Sequence, residues 1–489
     1  FLISYAHIRF DATLLREGDN DVEIRGVLGP NIPYSLFRVN SLELFYPRAF
    51  AAVDDYLEFD VDNHSVVTVS GFGQSRIHVL DVSRPERPVC LSGGRVVSDG
   101  HGYSVSFVPA VTGGRFVAFT EAGAARVSGM RLESPSRLTG LHHRAEHVVI
   151  TLGAWLGEAE ALAVHRRSQG LEAMVVDLEE VYTGFNYGLA GPHAIRSFLE
   201  HAWRRWDVPP RYVVLMGDGT YDYKGYLRQG DNLIPPRMAA TPFGLFASDM
   251  AAGDVEGHDG VPEVVIGRIP VKTSAEVTAA VQKIVAYESD PGVWAGRSIL
   301  LADNPDLAGN FPADSDALAE LIPAGHGLSR IYLSDLPLAE ARSRLHTDIH
   351  TGARLLNYMG HGGLDRLAYE GLLTTDDLPQ LQNGGRLPVL AAMSCIVGRF
   401  SVPGYDSFGE EFLLDPDGGG MAVWGATGLS FNSMAQQLNR EFVRYLFEAE
   451  QTVLGDGVKQ AMEAYSSRPY FSFMLDIFTI LGDPALKLK

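Results

Sequence analysis

Leu355-Leu356-Asn357-Tyr358-Met359-Gly360-His361-Gly362-Gly363 and Val389-Leu390-Ala391-Ala392-Met393-Ser394-Cys395 decide how this chain folds. Each is an apolar run of strand length. Each ends on a small or turn-forming residue followed by one that can do chemistry. In parallel α/β sheets, reactive groups collect where loops leave the carboxyl ends of strands. One strand therefore delivers a histidine and the next a cysteine to the same edge.

Working outward, strand and helix alternate from about Glu146 onward. His147-Val148-Val149-Ile150-Thr151 reads as a buried strand, Glu158 to Gln169 as a helix, and Glu172 to Asp177 as the next strand. Ala194 to Trp203 reads as a helix, Tyr212 to Asp218 and Val264 to Ile269 as strands. Thr273-Ser274-Ala275-Glu276 has the form of a capping box, with Val277, Val281 and Ile284 on one helical face. A second α/β unit starts at Ser298-Ile299-Leu300-Leu301-Ala302-Asp303, passes through the His and Cys strands to Met421-Ala422-Val423-Trp424-Gly425, and adds a helix from about Met434 to Glu448. This alternation predicts a parallel sheet covered on both faces.

Residues 1–143 read differently. Ser41 to Tyr46, Ser65 to Ser70 and Arg76 to Val82 alternate as short strands, separated by Gly71, Gly73, Pro85, Pro88 and Gly93-Gly94. That pattern predicts an all-β sandwich. The expected organisation is a β-sandwich over 1–143, a first α/β subdomain over 146–290 and a second over 291–489, with a joint at Asp290-Pro291-Gly292. At 489 residues the chain is too long for one core.

The net charge of −20, from 60 acidic and 40 basic residues, argues against a nucleic-acid partner. It reads first as a solubilising surface. No run of about 18 apolar residues exists to span a membrane. The start at Phe1 reads as a trimmed or mature end. With only Cys90 and Cys395, neither a disulfide framework nor a Cys-type zinc site is available, and both thiols are expected free. Gly71-Phe72-Gly73 is no nucleotide loop, since no helix with a basic residue follows. No Gly-x-Ser-x-Gly precedes a helix, which argues against a serine hydrolase.

A thiol with a pKa of about 8.5 is mostly protonated at neutral pH, and a neighbouring imidazole activates it. The same imidazole can hand a proton to a leaving amine. Gly360, Gly362 and Gly363 let backbone approach a substrate closely, and the Gly362 and Cys395 amides could bind an oxyanion. Taken singly, Cys395 also reads as a small buried hydrophobe and His361 as a loop histidine. The loop with Asp249, Asp254, Glu256, Asp259 and Glu263 gathers carboxylates around Gly253, Gly257 and Gly260. It reads either as a solvated acidic loop or as an oxygen cage for a hard cation. Asp303, Asp306, Asp314 and Asp316 form a second acidic cluster, cation-binding or pocket-lining. Asp218-Gly219-Thr220-Tyr221-Asp222 reads as a strand-end turn.

The segments Asn357 to Gly363 and Ala392 to Cys395 resemble the His and Cys signatures of gingipain-type cysteine peptidases, which have a caspase-like fold. Tyr212 to Asp218, Glu263 to Pro270, Gly420 to Thr427 and Gly482-Asp483-Pro484 match in the same order, so the resemblance covers about 146–489. The first 143 residues are similar, more loosely, to the β-rich segment before the peptidase domain in bacterial relatives. The resemblance implies a cysteine endopeptidase, with His361 as general base and acid and Cys395 as nucleophile. A transpeptidase using the same acyl-enzyme, or a catalytically silent cell-envelope or secretion protein on the same fold, is the alternative. It further implies Asp303 as an orienting acid, where the family carries a longer Glu, and Asp314 or Asp316 as a specificity carboxylate favouring a basic substrate residue. The competing expectation leaves Asp314 and Asp316 solvated and has Met421 to Ser430, with Trp424 and Thr427, shape an apolar substrate pocket instead, while the resemblance implies a structural calcium near Asp249, Asp254, Asp259 and Glu263. No cofactor is implied for catalysis, substrates would be proteins or peptides, and the setting would be secreted or at a bacterial cell envelope. Since the sequence runs only a few residues past Asp483-Pro484, the family's C-terminal immunoglobulin-like module is expected to be missing.

Overall fold

The computed structural model describes residues 7–16, 18–28, 42–46, 48–62, 66–98, 100–109, 113–127, 132, 134–290, 292–449, 452–468 and 471–489. The chain divides into two compact units, one of residues 4–132 and one that includes 133–489.

In the first unit, a four-stranded antiparallel sheet contains Tyr56–Val61, Gly114–Thr120, Ile77–Asp81 and Val89–Cys90. A three-stranded sheet contains Val67–Phe72, Tyr103–Phe107 and Arg95–Ser98. Along Tyr56–Val61, exposed and buried residues alternate strictly, as a half-buried strand requires. Leu57, Phe59, Val61 and Phe116 from one sheet share a core with Val67, Val69, Phe72 and Phe107 from the other. The unit is thus the expected sandwich. The expected strand at 41–46 does not form. Ser41 lies outside the described residues, and Leu42 to Tyr46 are exposed without regular structure. Among the described residues none pairs with Leu42 to Tyr46, and alternation alone does not make a strand.

The larger unit starts before position 143. Leu138 is buried in its core, the Arg137 amide donates to Glu180 (2.7 Å), and Ser136 caps the short turn Arg137–Thr139. Its centre is one ten-stranded sheet. In chain order the strands are β1 (His147–Thr151), β2 (Ala173–Asp177), β3 (Tyr212–Met216), β4 (Val265–Ile269), β5 (Arg297–Ala302), β6 (Gly327–Tyr332), β7 (Leu355–Met359), β8 (Val389–Met393), β9 (Ala422–Ala426) and β10 (Phe478–Leu481). Their order across the sheet is β6-β5-β7-β8-β9-β10-β4-β3-β1-β2. The eight inner strands are almost wholly buried, which is why they read as largely apolar runs. The helices used below are α1 (Leu156–Ser168), α2 (Ser274–Ser289), α3 (Phe311–Ala319) and α4 (Asn432–Glu448). At the start of α2 the Thr273 hydroxyl accepts the Glu276 amide (3.2 Å), as the capping signal predicts.

Residues 133–489 form one compact unit, and its sheet has β1 to β4 on one side, β5 to β9 on the other and β10 between them. That strand runs antiparallel to β9 and parallel to β4. Every other pairing is parallel, so the halves run in opposite directions. The carboxyl ends of β7 and β8 therefore open at one edge and those of β3 and β4 at the other.

Just past β10, Asp483 ties the C-terminal segment to the first half. It accepts from Arg166 on α1 (2.9 and 2.7 Å) and lies 3.1 Å from Nε2 of His147. Arg166 also pairs with Glu288 of α2 (2.7 Å), and all four side chains are buried.

Candidate active site

Strands β7 and β8 pair with Met359 opposite Met393. His361 and Cys395 each stand two residues beyond that pair, so adjacent strands bring them to the same level of the sheet edge. The loops touch. A β-carbon on Gly362 would lie 2.4 Å from the Cys395 carbonyl oxygen and 2.7 Å from Oγ of Ser394, so only glycine fits. One on Gly360 would lie 2.5 Å from Cβ of Asp303. Among the described residues, neither the Gly362 nor the Cys395 amide donates to another protein group.

The histidine loop is fixed from below. Buried Tyr358 donates its hydroxyl to the His361 carbonyl (2.6 Å), and Asp303 accepts the His361 amide (3.1 Å) and the Asn304 amide (2.7 Å). Burial pushes the Asp303 carboxyl up, against the opposing pull of the His361 and Asn304 amides. The resemblance put Asp303 on the imidazole. The structure puts it on the backbone, and Asp306 takes the ring, with Oδ2 2.8 Å from Nε2. The His361 hydrogen bond, helped by the Ala308 amide, holds the Asp306 carboxyl below the usual carboxylate range. An ionised carboxylate only accepts, so Nε2 carries the proton and a neutral ring keeps its lone pair on Nδ1. Phe311 of α3 packs edge-on to the imidazole at 5.4 Å.

Cys395 sits on a tight turn. Val397 donates to the Cys395 carbonyl (2.7 Å), and Ile396 between them has φ of 49°. A β-branched residue rarely adopts that conformation, which costs about 1–3 kcal/mol and clusters at functional sites. The Ser430 amide donates to the Cys395 sulfur (3.4 Å), from the loop between β9 and α4. Such a donor stabilises a thiolate. No local pattern marks Ser430; only the fold brings it to the thiol. Cys90 and Cys395 are both free, Cys90 exposed and Cys395 partly so.

Several residues assigned by resemblance lie elsewhere. Trp424 is fully buried between Phe442 and Phe478 (4.9 and 5.8 Å), and Thr427 is buried and donates to the Ala247 carbonyl (2.7 Å). Trp424 belongs to the core because β9 is an inner strand covered on both faces, and Thr427, one residue past it, is held there by its bond to Ala247. Asp316 faces the edge strand β6, where Arg330 (3.0 Å) and Tyr332 (2.9 Å) bind it. Asp314 faces α4 instead and accepts from Asn432 (2.7 Å) and Gln436 (2.8 Å). Positions two apart on a helix do not share a face, so the two cannot line one pocket.

The four expected calcium ligands do not form one oxygen cage. Asp249 makes a bidentate pair with buried Arg268 (2.7 and 2.9 Å). Asp254 accepts the His258 and Gly260 amides, Asp259 the Val261 amide, and Glu263 the Val255 and Glu256 amides. Their oxygens order the loop itself. Among the described residues, no group of three or more His, Cys, Asp or Glu is placed to hold a metal. Asp218 closes the strand-end turn by accepting the Gly219 amide (2.7 Å), and burial pushes its carboxyl up to about 6.

Comparison with known proteins shows the family and the fold. The model of peptidase family C25 matches residues 141–489. Gingipain R1 of Porphyromonas gingivalis is 23% identical over 378 residues, 73% of this chain and 35% of the relative. Gingipain R2 of the same species is 24% identical over 318 residues, 61% of this chain and 40% of the relative. The chain therefore spans less than half the length of these relatives. The crystal structure of the Arg specific cysteine proteinase gingipain R superposes with a TM-score of 0.59 at 22% identity, covering 71% of this chain and 78% of that one. The complex of P. gingivalis RgpB pro- and mature domains gives 0.60 at 21% identity, over 70% and 80%. These likenesses establish the caspase-like fold.

Proposed function

The chain belongs to peptidase family C25, and from that premise we propose that it is a cysteine endopeptidase with Cys395 as nucleophile and His361 as general base and acid. One observation carries the reading. The His361-Gly362 loop packs directly on Ser394-Cys395 at register-matched strand ends, with two backbone amides left unpaired beside the thiol.

The steps follow from the groups present. Nδ1 of His361 takes the thiol proton, and the Ser430 amide steadies the sulfur as it ionises. The thiolate attacks the scissile carbonyl, whose oxygen gathers charge against the Gly362 and Cys395 amides. The imidazolium returns the proton to the departing amine, leaving a thioester on Cys395. Water, deprotonated by the same imidazole, then releases the acid. Asp306 orients the ring, and Asp303 and Tyr358 fix the loop that carries it. A secreted or envelope-bound bacterial setting, with proteins or peptides as substrates, belongs to the same proposal.

A second reading, a silent or transpeptidase-like protein, has one observation in its favour. Ser430 and Asp306 hold the Cys395 thiol and the imidazole Nε2 separately, with no direct hydrogen bond between the two side chains. Digestion of a peptide library read by mass spectrometry, with iodoacetamide as probe, separates them. Cleavage that stops when Cys395 is alkylated supports the peptidase. Slow alkylation with an intact library defeats it.

Asp306 is a positioning residue in this scheme. Asp306→Asn is expected to lower kcat about tenfold with KM nearly constant. The melting temperature should not move, because the pair is about half exposed and such pairs add little stability. Asp306→Glu, which keeps the charge, should recover part of kcat. Equal kcat in Asn, Glu and wild-type forms would remove Asp306 from the machinery.

A further inference from the structure

The residue after Ser430 opens an apolar feature that the mechanism does not use. Phe431 stands at the start of α4, one residue beyond the amide that touches the Cys395 sulfur. Its ring meets Phe243 at 5.6 Å, Phe471 at 5.9 Å and Phe473 at 6.0 Å. Phe243 and Phe473 are themselves 6.0 Å apart and edge-on. The four rings come from distant parts of the sequence, yet only part of the cluster is covered. Phe473 is 6% exposed and anchors it, whereas Phe431 is 39% and Phe471 56% exposed. Aromatic surface left open beside a nucleophile is the composition of a ligand site, where apolar walls supply affinity and a few polar groups fix orientation.

We propose that Phe431 and Phe471, backed by Phe243 and Phe473, form an apolar subsite beside Cys395 that takes a bulky aromatic or aliphatic side chain of the peptide, at a position adjoining the scissile bond. The inference rests on the peptidase reading and names its substrate class. It replaces the basic preference expected from the resemblance. The carboxylate on this side, Asp314, already accepts from Asn432 and Gln436, and Asp316 is turned away to Arg330.

The test compares wild type, Phe431→Ala and Phe471→Ala on a peptide library, then on matched peptides with Phe, Leu, Ala or Arg at the selected position. Wild type should prefer Phe or Leu to Ala by about tenfold to a hundredfold in kcat/KM, the range that burying such a side chain gives. Each variant should shrink that ratio about tenfold or more. Phe471 is largely exposed, so its truncation keeps the test independent of folding. Selection for Arg, or an apolar preference that both variants retain, overturns the subsite. Rapid alkylation of Cys395 with cleavage but no apolar selection defeats the subsite alone. An inert thiol with no cleavage defeats the peptidase reading, and the subsite with it.

Discussion

Cys395→Ala and His361→Ala are each expected to lower kcat/KM on a cleaved peptide about a thousandfold or more, and the double variant no further than the worse single one. Nucleophile and base act as a unit, so losing either loses the acyl-transfer step. What remains would be the oxyanion amides and binding, which speed hydrolysis without a thiolate only modestly. Melting temperatures should stay close to wild type. The His361 side chain is 46% exposed, and Cys395 is partly exposed at a loop rather than packed in the core. A single variant that keeps more than about a tenth of wild-type activity would refute the assignment.

The largest expected effect on stability is at Asp483, far from the thiol. Its carboxylate is buried against Arg166 and His147, and Arg166 is shared with Glu288. Asp483→Asn keeps the shape and removes the charge, leaving a buried guanidinium with one carboxylate fewer. Breaking a buried pair in this way costs about 3–5 kcal/mol. Urea or thermal unfolding followed by circular dichroism measures it, and a loss below about 1 kcal/mol would contradict the claim. The pH dependence has a definite sign. Burial alone would push the Asp483 carboxyl up, but the Arg166 charge, and then His147, outweigh it and hold the group well below the usual carboxylate range. Its folded pKa lies below the unfolded value of about 3.9, so its contribution is complete above that pH. It is lost as pH falls below that value toward the folded pKa. Wild type should therefore show a steeper acid limb of stability than Asp483→Asn.

This network gives Gly482-Asp483-Pro484 a structural role in this chain. The segment follows β10, the strand that reverses polarity across the sheet. A charge anchored to α1 and α2 holds that segment against the first half. Buried Arg268 does similar work elsewhere, binding Asp249 and the Gly217 (2.7 Å) and Ile234 (3.0 Å) carbonyls. A pair of this kind is why an aspartate that looks like a cation ligand in sequence is not free to be one.

Sequence by itself determined the elements and the reactive pair. Runs such as Leu355 to Met359 and Val389 to Met393 are buried on every residue, and apolar but for Asn357, because their strands are covered on both faces, and the residues that end them set where each loop begins. These signals span five to ten residues, so they survive without knowledge of the fold. Sequence also placed His361 and Cys395 at equivalent strand ends, which the register of β7 and β8 then brings together. Tertiary structure alone decided the rest. It chose Asp306 over Asp303 for the imidazole, sent Asp314 and Asp316 to opposite partners, buried Trp424 and Thr427, and brought Ser430 to the thiol. It also reversed the sheet through Phe478–Leu481, a strand too short to read and too far along the chain to assign a neighbour. The physical reason is range. Apolar periodicity is a local property of the backbone, whereas a carboxylate takes whichever donor the fold presents, as Asp483 takes Arg166 across 317 positions.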